Sequence, residues 1–427
     1  MRDGKFKPKE VFLRMKMNLL DSGNPYMWDM AAYRITETYH HHRTGDKWRI
    51  YPTYDFTHCL CDAFEEITHS LCTIEFRTAR ESYDWLLEQL EDKLSARPQQ
   101  REYGRLNVTG TVLSKRKIQK LVQDNHVRGW DDPRLYTLIA IRRRGVPPGA
   151  IRAFVAELGV SDSLTIIQTV RFETVVRKYL EKTVPRLMLI PDPILVTIEN
   201  LPVDHCEEIS LDFMPRDAAM GSHVVPFTPK LYIDRSDFRE VDDLNFFRLA
   251  PGKTVGLLSV PHPIRCTSFE TDAATGKVTA IKAHYCNESD APAPKPKAFI
   301  QWVAVSPKHN SPIPAEVRIF NRLFQSDNPD AHPSGDFLND INPESEEVHR
   351  DAVIECGFEE IRKRAPWPRD SKDMPSAGLH PGNWDVRFQG MRVAYFALDT
   401  ESGEVGEGKK VILNKIVSLK EDAGKAT

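Results

Sequence analysis

WRIYPTYDFTHCLCDAFEEITHSLCTIEF, residues 48–76, concentrates more chemistry than any other stretch of the chain. Tyr54, Asp55, Thr57, His58, Asp62, Thr68, His69, Cys72 and Thr73 bring hydroxyl, carboxylate, imidazole and thiol groups together in one short segment. That density suits a pocket for a small polar ligand. A structural zinc site needs paired ligands at knuckle spacing, twice. Cys59 and Cys61 have no second pair, so both are expected as small buried apolar residues. His40, His41 and His42 precede the turn signal Arg43-Thr44-Gly45-Asp46, and three adjacent histidines do not share one face. No metal site is expected.

Downstream, ESYDWLLEQLEDKLSA (81–96) reads as an amphipathic helix, with Trp85, Leu86, Leu90 and Leu94 as its buried stripe and Arg97-Pro98 as its stop. In REYGRLNVTGTVLSKRK (101–117), the strand formers Leu106, Val108 and Val112 lead into Ser114-Lys115-Arg116-Lys117. Taken alone, such a basic run is most simply a solvated face. IQKLVQDNHV then reads as helix, and residues 118–183 continue helical, with Phe172, Val176, Tyr179 and Leu180 on one buried face. Arg142-Arg143-Arg144 suits either a backbone-phosphate contact or a solvated helix end favoured by the dipole. Upstream, EVFLRMKMNLL reads as a helix within residues 1–30, stopped by Gly23-Asn24-Pro25, with Trp28, Tyr33 and Ile35 in the core.

From Pro185 the period changes. Residues 194–199, 230–238, 299–305, 393–399 and 409–419 are short strand-like runs between Gly-, Pro- and Asn-rich turns. Residues 272–277, DAATGK, read as a hairpin turn, and SDAPAPKPK (289–297) as an exposed Pro-rich loop. Many short strands imply barrels or sandwiches.

A chain of 427 residues should hold two to four domains. With 58 Lys plus Arg against 61 Asp plus Glu, no whole-chain basic field argues for nucleic acid, so any RNA surface is a local patch. Seven cysteines without a regular framework suggest a reducing compartment. There is no apolar run of membrane-spanning length and no secretory h-region after MRDGKFKPKE. A soluble, cytoplasmic protein without membrane contact is expected.

The stretch from residue 51, YPTYDFTHCLCDAFEEITHSLCTIEF, resembles the centre of the glutaminyl-tRNA synthetases, whose pattern YPxYDFTHCxxDAxExITHSLCTxEF lines their amino-acid pocket. Leu113-Ser114-Lys115, in register downstream, is similar to the second signature loop of class I synthetases, where a mobile lysine contacts the phosphates of ATP. The resemblance covers nearly all of the chain but only the C-terminal part of the family. It implies a multidomain α/β plus all-β architecture. Residues 1–53 would end the inserted acceptor-binding domain, and 54–105 would form the second half of a Rossmann-type nucleotide-binding catalytic fold. Residues 106–183 would carry the signature loop and a helical subdomain. Two six-stranded anticodon-binding β-barrels would follow, the proximal from 184–242 and 349–427, the distal from 243–348.

The resemblance also implies site roles. Tyr54, His58, Cys72 and Gln100 would bind glutamine: a phenol at 54, screened from water and with its hydrogen engaged elsewhere, accepts from an amide and rejects a carboxylate. A neutral thiol at 72, where related glutamyl-tRNA synthetases tend to carry arginine, favours glutamine. Thr73, Arg105, Leu106, Leu113, Ser114 and Lys115 would bind ATP with Mg²⁺, Ser114 and Lys115 being catalytic. Arg186, Arg248 and Gln389 would read the anticodon. Bacterial members use a further arginine where this chain has Gly256. The expected activity is ATP-dependent ligation of L-glutamine to its tRNA through an adenylate, by a monomer. Alternatives are a glutamyl-tRNA synthetase and a non-catalytic tRNA-binding remnant. The H-x-G-H signature of class I synthetases does not occur, so the expectation is a fragment, inactive by itself.

Overall fold

The computed structural model describes all residues except 19–21, 38–39, 216, 288–294, 370–381, 404–409 and 421–427. The chain forms two compact units, residues 1–107 with 159–166 and residues 108–158 with 167–427. Residues 289–294 of the expected Pro-rich loop lie outside the described residues. No described helix is long and apolar enough to cross a membrane.

The first unit opens with an antiparallel sheet of β1 (Phe12–Arg14), β2 (Ala31–Ile35) and β3 (Ile50–Pro52). The N-terminal helix read from EVFLRMKMNLL is therefore absent. Its apolar residues do not form a buried stripe: Phe12 and Leu13 are 50% and 52% exposed. Their backbone finds β2 as partner instead, and the Met15 N–H donates to the Met30 carbonyl at 2.8 Å. Trp28, expected in the core, is 48% exposed; Ile35 is buried and Tyr33 is half-buried, packing on Phe56 at 5.4 Å.

Helix α1 (Tyr54–Phe64) starts where Thr53 caps it, its hydroxyl accepting from the Phe56 N–H. Cys59 and Ala63, four apart, are its buried face. Cys61 points the other way and is exposed, so only one of the two cysteines behaves as a buried apolar residue. Strands β4 (His69–Thr73) and β5 (Gln99–Tyr103) run parallel, with Ser70 opposite Gln100. Between them α2 (Arg80–Gln89) is shorter than the periodicity suggested. Leu90 takes φ −120°, and a 3₁₀ turn replaces the last helical turn. The buried stripe is Tyr83, Leu86 and Leu87, while Trp85, Leu90 and Leu94 are half-buried beside Cys59 and Ala63. β6 (Leu106–Val108) pairs with β7 (Thr165–Ile167).

The second unit begins with helices α3 (Lys115–Gln123), α4 (Leu138–Arg144), α5 (Pro148–Leu158) and α6 (Thr169–Leu180). On α6, Phe172, Val176 and Leu180 are buried as the spacing required, with Tyr179 half-buried against the same core. Its strands are β8 (Arg186–Leu187), β9 (Leu189–Ile190), β10 (Pro193–Ile198), β11 (Glu207–Asp212) and β12 (Ser222–Phe227). Then come β13 (Lys230–Asp234), β14 (Thr254–Leu257), β15 (Ile264–Thr271), β16 (Val278–Tyr285), β17 (Phe299–Ile300) and β18 (Val303–Ala304). β19 (Ile313–Phe320), β20 (Glu346–Ile354), α7 (Gly357–Lys363), β21 (Arg387–Gly390), β22 (Ala394–Leu398) and β23 (Val411–Ser418) complete the unit.

Fourteen of these strands form two mixed sheets that curl into barrel-like shapes, and β11 pairs with β12 in a separate two-stranded sheet. One has the order β17-β14-β15-β16-β10-β13-β18, the other β8-β21-β22-β23-β19-β20-β9. In each, the two edge strands come from one nearly continuous segment: one residue separates β8 from β9, and two separate β17 from β18. Edges joined by so short a link must lie close together, which closes the sheet. Each sheet has seven strands rather than the expected six because this corner segment pairs at both ends. One sheet takes its strands from 193–304, the other from 186–190 with 313–418. The expected 272–277 turn joins β15 to β16, with Asp272 N–H donating to Lys277 at 2.9 Å.

Arg143 and Arg144 fit neither sequence reading, since both are buried. Arg143 donates to Asp399 through Nε at 3.0 Å and Nη2 at 3.1 Å, and it also pairs with Asp131 and Glu401. Arg144 donates to the Ile416 carbonyl at 2.8 Å and pairs with Glu173. They bolt α4 to β23 and the turn after β22. Only Arg142 stays at the surface side, over the Trp384 ring at 4.8 Å.

Candidate functional site

Four-residue spacing on α1 puts Tyr54, His58 and Asp62 on one face. The Tyr54 ring stacks on His58 with centroids 5.0 Å apart. His58 Nε2 lies 3.1 Å from Ser70 Oγ and 3.3 Å from Asp62 Oδ2. Serine and aspartate thus meet the same ring nitrogen. A nucleophile relay needs one on each nitrogen, so this is a binding network and not a triad. From β5, Gln100 Nε2 donates to Cys72 Sγ on β4 at 3.0 Å. Tyr83 on α2 donates its hydroxyl to Asp62 Oδ2 at 2.9 Å.

Tyr54, Asp55, His58, Cys72, Phe76, Ala79, Ser82, Tyr83 and Gln100 line one recess, so the structure brings all four residues expected around glutamine together. Its enclosed volume is about 20 Å³, room for a water-sized group. Burial pushes the Cys72 thiol above its ordinary range, which keeps it neutral at pH 7. Burial, then the neighbouring Cys72, Asp62 and Asp55, push Tyr54 up as well.

One expectation needs correction. Tyr54 is 64% exposed, so its phenol is not screened from water within this chain. The phenol that is both screened and has its hydrogen engaged is Tyr83, 4% exposed and bonded to Asp62. Burial, then that hydrogen bond, raise its pKa strongly. Sequence reading passed over Tyr83 because its signal is tertiary: the partner lies 21 residues upstream on another helix.

Of the residues expected around ATP, Thr73, Arg105 and Leu106 belong to the first unit. Thr73 is the residue before a 3₁₀ turn, and its hydroxyl bonds Glu75, whose carboxyl is held low by its own N–H, Thr73 and Arg105. Arg105 and Leu106 are exposed.

Leu113, Ser114 and Lys115 belong to the second unit. Lys115 is the first residue of α3 and exposed, so the basic run is a helical turn, not a loop. Ser114 is the cap position, and its carbonyl accepts from Ile118 N–H at 3.0 Å. Three cations in the first turn oppose the helix dipole, at about 0.3–1 kcal/mol each. Lys117 is neutralised by Asp330, but Lys115 and Arg116 have no carboxylate partner among the described residues. A helix start with open N–H groups and two unpaired cations is suited to anionic oxygens.

Arg186 and Gln389 are directly opposite one another on β8 and β21, half-exposed. Arg186 Nε is buried without a partner among the described residues. Arg248 lies elsewhere in the unit, 3.2 Å from Asp237, in a cleft of about 600 Å³ that Arg235, His349 and Arg392 also line. Arg392, which sequence reading missed, shares Asp237 at 3.2 Å. Its backbone takes φ 60°. Gly256 lies under the Phe299 ring: with that ring in place, a Cβ at 256 would lie 2.4 Å from it. No group of three His, Cys, Asp or Glu among the described residues could hold a metal ion.

Comparison with known proteins matches residues 1–182 to the model described as tRNA synthetases class I (E and Q), catalytic domain. Residues 184–286 and 299–366 match the two anti-codon binding domain models of the same family. The whole chain is 53% identical to 63% of the "Glutamine--tRNA ligase protein virJ" of Hypocrea virens. It is 54% identical to 52% of the "Glutamine--tRNA ligase" of Saccharomyces cerevisiae. It is 40% identical to 69% of the "Glutamine--tRNA ligase" of Cupriavidus metallidurans. The chain thus spans roughly half to two thirds of the curated relatives' length.

Proposed function

The chain belongs to the class I (E and Q) tRNA synthetase family, and on that premise we propose that it is the pocket-bearing and anticodon-binding part of a glutamine–tRNA ligase. The carrying observation is the recess in which Gln100 holds the neutral thiol of Cys72 beside Tyr54, His58 and Tyr83. Its lining carries the Asp55 carboxylate, a neutral thiol and two phenols, and no guanidinium or ammonium to neutralise a carboxylate. A neutral amide fits such a lining, whereas a second carboxylate would be desolvated there without a counter-charge.

ATP is the substrate that would carry Mg²⁺ into the site, an ion commonly held by phosphate oxygens with few protein ligands. Thr73, Arg105 and Leu106 are assigned to adenosine, with Leu113, Ser114 and Lys115 over the phosphates. The exposed, uncompensated charge of Lys115 at a helix start supports its assignment to the oxygens that gain charge as the α-phosphorus is attacked. The ligase with glutamine is expected to exchange pyrophosphate into ATP at least about a hundredfold faster than with glutamate, given tRNA. Equal rates would overturn the amide reading of the recess.

Arg186, Gln389 and Arg248 are assigned to the bases of the anticodon. Arg186→Ala is expected to weaken cognate tRNA binding about tenfold or more, the worth of one good base contact, while leaving ATP binding in the absence of tRNA unchanged. Loss of ATP binding in the same variant would sink the assignment.

A further inference from the structure

Gly256, on β14, is covered by an aromatic ring from the neighbouring strand. Gly256 and Phe299 are opposite one another on the parallel strands β14 and β17. The Phe299 ring lies over Gly256 so closely that a Cβ at 256 would lie 2.4 Å from ring carbons. Yet the ring is not part of the barrel core. Phe299 is 52% exposed, while the next residue, Ile300, is fully buried. A large aromatic on an edge strand, one face on a glycine and much of its surface in water, is costly to leave uncovered.

Cations surround its backbone and a neighbouring exposed ring. The Phe299 carbonyl accepts from Arg392 Nη1 at 3.2 Å, and Arg392 also pairs with Asp237. Asp237 in turn pairs with Arg248 at 3.2 Å, and both arginines line the 600 Å³ cleft. Two residues before Phe299, Lys297 Nζ sits 5.5 Å over the Phe247 ring, which is itself 46% exposed. Exposed aromatic faces interleaved with cations are the usual means of holding unpaired bases: the ring stacks, the cations meet phosphates.

We propose that Phe299, laid over Gly256 and tied through Arg392 to the Arg248 cleft, is the stacking platform for one unpaired base of the RNA. The inference rests on the tRNA-ligase reading and adds the mode of contact: base stacking on a ring, in place of hydrogen bonding from a side chain at 256. Stacking on an aromatic is worth about 1–3 kcal/mol per base, roughly 5- to 150-fold in affinity.

The test uses the full chain and a transcript of glutamine tRNA carrying 2-aminopurine in turn at each anticodon position. Phe299→Ala and Phe299→Leu are both expected to weaken binding at least about fivefold, and Phe299→Trp to restore it to within about twofold. The slope of affinity against salt should stay the same, because no charge is removed. One 2-aminopurine position should be quenched on binding to the wild type and not to the alanine or leucine variants. If Phe299→Leu binds like the wild type, the ring serves packing and the inference is overturned. If no position is quenched by the wild type although the tRNA binds selectively, it is overturned as well, and the ligase reading survives. If the wild type does not distinguish glutamine tRNA from an anticodon-scrambled transcript, the ligase reading itself fails.

Discussion

Asp399→Ala is expected to destabilise the second unit by about 3–5 kcal/mol, the range found when one member of a buried ion pair is deleted. Asp399 is fully buried and accepts from both Nε and Nη2 of Arg143, from the Asn414 amide and from the Glu401 N–H. Removing it leaves the Arg143 guanidinium, itself 9% exposed, without its bidentate partner and with only the half-exposed Asp131 and Glu401. Helix α4 then loses its bidentate tie to the turn after β22 and keeps the Arg144 bond to the Ile416 carbonyl. Urea unfolding of the isolated chain measures this, and a change below about 1 kcal/mol would show that the network is not what joins them. The pH dependence has a definite sign. Burial alone would raise the Asp399 pKa, but the bonds from Arg143, Glu401 and Asn414 outweigh it and hold the carboxyl low. Asp132, bonded by Arg134 and the Arg128 N–H, is likewise held low against its burial. Groups depressed on folding contribute fully above their unfolded values, about pH 4, and lose that contribution as pH falls through the folded values. The difference in melting temperature between the parent and Asp399→Asn should therefore hold steady from pH 7 to about 5, then shrink below about 4.

Lys115→Ala is expected to slow adenylate formation by about a hundredfold or more in the ligase, with tRNA affinity within about twofold of the parent. The arrangement at the start of α3 costs stability. Lys115, Arg116 and Lys117 crowd the positive end of α3, and only Lys117 has a carboxylate, Asp330, among the described residues. A cation kept there against the dipole is accounted for by an anion that meets it. Lysine is a compact point charge suited to phosphate oxygens. The alanine variant should be as stable as its parent or slightly more so, since the opposing charge is gone. A stable variant with unchanged pyrophosphate exchange would refute the role.

How far the chain itself announced these features differs from part to part. The pocket stretch was legible because its information is local. Four-residue spacing on a capped helix puts Tyr54, His58 and Asp62 on one face whatever else the chain does. The α6 stripe and the strands β10, β13, β17, β18, β22 and β23 were legible for the same reason, a local pattern sustained over several residues, whereas strands such as β19 and β20 were not read. The N-terminal helix was misread because EVFLRMKMNLL has helix-forming composition without a stripe, and a neighbouring strand offered its backbone better partners. The arginines of α4 were misread because a basic helix end looks the same whether it faces water or aspartate.

From its sequence alone, then, the chain determined its family, the α1 face of the recess and the position of the basic turn at 114–117. Tertiary structure alone decided which phenol is screened from water, which ring lies over Gly256, and where each barrel closes. The physical reason is sequence separation. Spacing within one helix or strand fixes direction, but burial and charge pairing depend on segments far away. Asp399 is 256 residues from the Arg143 it neutralises, and no local pattern in either segment names the other.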